Sequence, residues 1–298
     1  MHEHSGAGAG VLLLGALPFL AALVLYLAAA AGARRAGRPW PVYRSVLWSA
    51  GVAAAALGFL GPAALGFLGP APGSFPAHMG SHLLVGMAAP LLLVLAAPVT
   101  LALRTLAVGR ARRLSGILRS VPLRVLAHPV PAGVLNTGGL WLLYTTPAAG
   151  ALGSGAGHAG VQLHFLLAGC LFTNAIIGVD PNPHRAGFRL RTAVLLAALA
   201  GHGVLAKYLY AYPPPGVPAG EAETGAYLMY YGGALAEAAL ITVFCAQEYA
   251  RAHRGGRGAA GGPVSSRVSG GAAAARRPAE DRPVPRRSRR APEGQRFR

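Results

Sequence analysis

HMGSHLLVGMAAPLLLVLAAPVTLALR, residues 78–104, is the stretch whose reading decides the fold. From Leu83 to Leu103 it carries no ionisable side chain, and Arg104 closes it. Crossing about 30 Å of hydrocarbon at 1.5 Å per residue takes roughly 20 apolar residues. The run is therefore long enough for a transmembrane helix. It is continuous and about twice the length of a barrel strand, which excludes a β-barrel reading. Pro90 and Gly86 inside it are tolerable, because neighbouring helices satisfy freed backbone groups in a bilayer.

Similar runs recur on both sides. They are Val11–Ala31, Val46–Leu68, His78–Leu103, Val125–Thr146, His158–Val179, Leu190–Tyr210 and Gly225–Tyr249. The sequence thus predicts an all-α integral membrane bundle of seven transmembrane helices. Composition agrees. Of 298 residues 53% are hydrophobic and 12% charged, against about 25% charged in soluble domains. A soluble enzyme is excluded on that ground, and two cysteines, Cys170 and Cys245, exclude a disulfide-built secreted domain.

The charge is lopsided, with 27 Lys+Arg against 9 Asp+Glu, a net +18. A pI near 11.3 raises a nucleic-acid binder, and the placement of the arginines answers it. Four follow span one (Arg34, Arg35, Arg38, Arg44). Six follow span three (Arg104, Arg110, Arg112, Arg113, Arg119, Arg124). Three follow span five (Arg185, Arg189, Arg191), and thirteen follow span seven. Connections after spans two, four and six hold none. The positive-inside rule then predicts the N-terminus outside and the C-terminus in the cytoplasm. Span one reads as a retained helix, not a signal peptide, because its basic residues follow the apolar run. Residues 1–250 form the expected membrane domain. Residues 251–298, rich in Gly, Ala, Pro, Ser and Arg, read as a disordered basic cytoplasmic tail that lies on anionic lipid.

Ionisable side chains within a bilayer are costly and default to functional candidates. His78 and His82, at i and i+4, share a helix face at the outer end of span three. His158 opens span five at the same depth. His164, six residues on, diverges from it by about 120°. His202 lies midway along span six and Glu237 midway along span seven. Imidazole suits transition metals, and Met79 and Met87 add thioethers that select Cu(I). These residues point to an outer-facing copper site on His78, His82 and His158. On spacing alone His164 and His202 read as hydrogen-bonded bundle residues, Met79 and Met87 as packing, and Glu237 as a carboxyl either protonated or paired with His202 or Lys207. His128 before Pro129 reads as a helix-start residue, Asp180-Pro181 as a turn after span five, and the two cysteines as buried thiols.

The stretch at 78–104 also resembles the third-span signature of the polytopic CtaG family of cytochrome c oxidase assembly factors. LHFLLAGCLFTNAIIGVDPNP (163–183), AHPVPAGVL (127–135) and GAYLMYYGGALAEAALITVFCAQEYAR (225–251) resemble other segments of that family, in the same order. The chain departs from it at Thr173-Asn174, where the family is often Trp-rich. The resemblance implies a plasma-membrane, multi-pass accessory protein, not an enzyme, that matures a haem-copper oxidase by handling copper. By motif match it carries over His78, His82, His128, His158, His164, His202, Asp180 and Glu237. The candidate metal set is then His78, His82, His158, His164 and His202, supported by Met79, Met87, Asp180 and Glu237. The partners expected are oxidase subunits and the lipid bilayer, with no nucleic acid. Two other readings fit the same residues: a copper or proton transporter, and a haem- or quinone-dependent membrane redox protein.

Overall fold

A computed structural model describes residues 4–64, 73–146, 156–181 and 185–260. Met1 to Glu3, His184 and the tail beyond Ala260 fall outside the described residues. The chain divides into two units, Met1–His253 and Arg254–Arg298, and the sites below belong to the first. Among the described residues the structure is helical without strands.

Helix α1 is His4–Arg35 and α2 is Val42–Ala64. Helix α3, Phe75–Leu83, runs through a π turn, Leu84–Ala88, into α4, Ala89–Leu95. Three short helices follow: α5 (Pro98–Thr105), α6 (Val108–Leu118) and α7 (Val121–Leu126). Helix α8, Pro129–Gly133, passes through a second π turn, Val134–Gly138, into α9, Gly139–Thr145. Then come α10 (Ala156–Ile177) and α11 (Phe188–Ala211). Helix α12, Ala219–Tyr227, continues through a third π turn, Leu228–Gly232, into α13, Gly233–Ala260.

Six of these runs are long and apolar enough to cross a membrane: Leu13–Arg35, Val42–Gly61, Phe75–Leu95, Gly157–Ile177, Phe188–Ala211 and Ala219–His253. The remaining expected span, Val125–Thr146, is shorter in the structure. Its continuous helix starts at Pro129, capped by the His128 ring, which accepts from the Val130 amide at 3.4 Å. The large apolar side chains on the outside, such as Leu25 at 70% and Leu235 at 77% exposed, are what a bilayer solvates and water does not.

Phe75–Leu95 and Gly157–Ile177 are the most buried of the six, and Leu13–Arg35 the least. The run 75–95 packs on α2, α10 and α12, so it lies at the centre. Gly169 allows the approach of α10, because a Cβ there would meet the Gly86 carbonyl and Pro90. One apolar cluster gathers Phe75, Met79, Leu140, Phe165, Leu205 and Met229. A second, nearer the arginines, gathers Phe172, Ile176, Leu195 and Phe244.

The third span ends earlier than its composition suggests. Pro98 disfavours α-helical backbone at the residue before it, and Ala97 turns left-handed at φ 53°. The break strands the Ala96 carbonyl and the Val99 and Thr100 amides. The Tyr26 hydroxyl donates to Ala96 O at 2.8 Å. The Asp180 carboxylate accepts from the Val99 amide at 3.2 Å, the Thr100 amide at 2.7 Å and the Thr100 hydroxyl at 2.6 Å. Asp180 thus caps α5 from 80 residues away, a role the sequence did not disclose.

At the same end Arg191, 2% exposed, donates to Glu248 Oε1 at 2.8 Å and to the Ile176 carbonyl at 2.7 Å. Read from sequence, Arg191 was only a topological charge; in the fold it ties α10, α11 and α13 together. Both cysteines are free, and Cys245 is exposed, not buried as expected.

Candidate functional site

At the other end of the 75–95 run, Ser74 caps α3, its hydroxyl accepting from the Ala77 amide at 3.4 Å. Pro76 occupies the first turn, where a missing N–H costs nothing. His78 and His82 follow one turn apart on one face. The first meets α10: the His78 and His158 ring centroids are 6.0 Å apart. His78 Nε2 shares a 2.8 Å hydrogen bond with the Tyr144 hydroxyl, which in turn lies 3.9 Å from Met79 Sδ. The Gln162 amide nitrogen lies 3.4 Å from His158 Nε2 and 3.4 Å from the Gly58 carbonyl. An amide N–H₂ only donates, so His158 Nε2 accepts.

One turn deeper, His82 lies edge-on to Phe165 and has its ring centroid 6.3 Å from that of His202. His202 Nδ1 is 3.0 Å from Glu237 Oε1. The expected carboxyl pairing is therefore with His202; Lys207 instead lies over the Tyr230 ring at 5.6 Å. His82 and His202 are each 5% exposed. Neither His82 nitrogen has a hydrogen-bond partner, nor does His202 Nε2. Buried polar atoms are paired in the great majority of cases, so three orphans at one spot need a reason.

His82 and His202 line a cavity of about 50 Å³ whose wall also includes Met87, Asn136, Thr137 and Glu237. Two of the three π turns supply this wall, Met87 from the first and Asn136 and Thr137 from the second. The third precedes Gly233, against which the His202 ring lies so closely that a Cβ there would overlap it. π turns occur disproportionately at functional sites. They insert a residue and shift the helix face that follows.

Four of the five candidate histidines therefore form a line, His158, His78, His82, His202, ending on Glu237. His82 also borders a small cavity of about 10 Å³ with His78 and His158. The arrangement is paired: His82 lies one turn, about 5.4 Å, below His78 and reaches α11 instead of His158. Among the described residues no three His, Cys, Asp or Glu side chains converge to cage an ion. His164 leaves the line. Its Nε2 bonds the Leu135 carbonyl at 3.2 Å on the exposed side of α10. Asp180 is at the arginine end. Tyr144 and Gln162 were missed by the sequence reading. Gln162 had a signal, a polar side chain one turn from His158. Tyr144 had none, since it meets His78 across 66 residues.

The sequence model of the cytochrome c oxidase caa3 assembly factor family matches residues 24–251. The chain belongs to that family. The match covers every residue of the line and the spans that position it. The chain is a multi-pass plasma-membrane protein of a family described as cytochrome c oxidase assembly factors. An uncharacterised protein of Mycobacterium leprae is 36% identical over 185 residues, 59% of this chain and 28% of that protein. Uncharacterised proteins of Mycobacterium bovis and Mycobacterium tuberculosis are each 37% identical over 185 residues, 59% of this chain and 27% of theirs. The chain thus spans little more than a quarter of the length of these relatives. No solved structure matches.

Proposed function

We propose that the protein takes up copper at the histidine end of the bundle and passes it to a subunit of the oxidase. Copper is cargo here, not a resident cofactor, and no bond is made or broken in a substrate. The observation that carries this reading is His82: buried, with both ring nitrogens unpartnered, and set between the His78–His158 and His202–Glu237 pairs. A desolvated imidazole without partners is expensive, and a ligand that it can bind repays the cost. Imidazoles suit copper, and the thioether of Met87 on the cavity wall favours Cu(I). Open pairs instead of a closed cage also suit delivery, since each 1.4 kcal/mol of added affinity slows release about tenfold.

The direction of delivery follows from topology. We take the helical run 129–145, about 25 Å long at 1.5 Å per residue, as a seventh span. The arginines then lie on the cytoplasmic side, the N-terminus outside, and the histidines open to the outer face.

A deletion strain tests the role. Oxidase assembly should fall and be restored by added copper; unchanged assembly sinks the proposal. The continuation of the line to Glu237 also favours a second reading, transport of copper inward, which predicts metal flux into sealed vesicles. A haem reading has no support in the cavity, whose 50 Å³ is far below the ~300–1,000 Å³ of an organic ligand site.

A further inference from the structure

We infer that the cavity between His82 and His202 is a second, deeper Cu(I) site, distinct from the His78–His158 pair. The inference rests on the copper reading above and adds where the ion comes to rest. His202 supplies one donor. Its Nδ1 is held by Glu237 Oε1 at 3.0 Å. A carboxylate that accepts from Nδ1–H leaves Nε2 as the lone-pair nitrogen. That is the arrangement in which a carboxylate orients a metal-binding histidine and raises its basicity. Nε2 is also the atom left buried without a partner.

His82 supplies the opposing donor. Its two nitrogens are buried and unpartnered, so either tautomer presents a lone pair. Two imidazole nitrogens at ~2.0 Å from one ion, each ~1.1 Å from its ring centre, place the centres about 6 Å apart. The observed separation is 6.3 Å. Cu(I) accepts two such donors, and Met87 on the wall is a soft third. The cavity, about 50 Å³, has room for an ion. Gly233 is fixed as glycine by the same ring, since any side chain there would displace His202. His82 borders both cavities, which makes it the donor that links the outer pair to this one.

The test is Cu(I) titration of the purified full chain in detergent against a competing chelator. The wild type should bind two equivalents. His202→Gln should bind one, and His78→Ala with His158→Ala should bind the other one. Glu237→Gln keeps every ring and should retain two equivalents, the inner one weakened 10- to 100-fold. It reads the site even if His202→Gln does not fold, which gel filtration and helical circular dichroism report. One equivalent in the wild type, lost in His78→Ala/His158→Ala and untouched by His202→Gln and Glu237→Gln, overturns this inference alone. No copper on the wild type overturns it together with the copper reading.

Discussion

Asp180, which the motif carried over, and Gly233, which the fold brings to notice, separate cleanly once their contacts are known. Asp180 holds three hydrogen bonds to Val99 and Thr100 and lies away from the histidines. Asp180→Ala should cost about 1–2 kcal/mol through the lost cap, read as a lower midpoint of thermal unfolding in detergent. Its copper stoichiometry should match the wild type, and a lost equivalent would contradict the assignment. Gly233 behaves oppositely. A methyl there overlaps the His202 ring, so Gly233→Ala should cost about 1–3 kcal/mol and weaken copper binding as well. Normal affinity in that variant would show that His202 has another place to go.

At the scale of elements, local signals were legible and distant ones were not. The i, i+4 spacing of His78 and His82 gave a shared face, and the 120° between His158 and His164 put those rings on different sides of α10. Both hold because they depend only on helix geometry. The pairing of His82 with His202 depends on how α11 packs on the 75–95 run, which no local pattern encodes. The π turns are likewise set by packing. The end of the third span was legible in principle: Pro98 forces the break at Ala97, but the apolar residues beyond it read as more span. Arg191 shows what charge counting omits. Its guanidinium bridges helices at Ile176 and Glu248. Arg191→Ala should cost about 1–3 kcal/mol through the lost bonds to Ile176 and Glu248, the latter keeping Arg251 at 2.7 Å. Arg191→Met, which fills the space, should be less costly than Arg191→Ala by thermal unfolding.

For the whole molecule, the +18 net charge is best understood as an address. Under the proposed seven-span topology every arginine of the sequence follows an odd-numbered span, which puts the histidine line at the outer face. Single cysteines in a background without Cys170 and Cys245 test this. Ala219→Cys, at the exposed start of α12, should react with an impermeant maleimide on intact cells. Gly109→Cys, on the exposed start of α6, should react only after permeabilisation. The reverse pattern would invert the bundle and place the histidines at the cytoplasmic face.

The central claim is that this line of imidazoles handles copper for the oxidase. The most direct test is the copper content of the purified full chain by mass spectrometry, beside the His78→Ala/His82→Ala protein. The wild type should carry copper after exposure to Cu(I), and the double variant should lose most of it, because His82 belongs to both cavities. A copper-free wild type, or a double variant with full copper, would contradict the account.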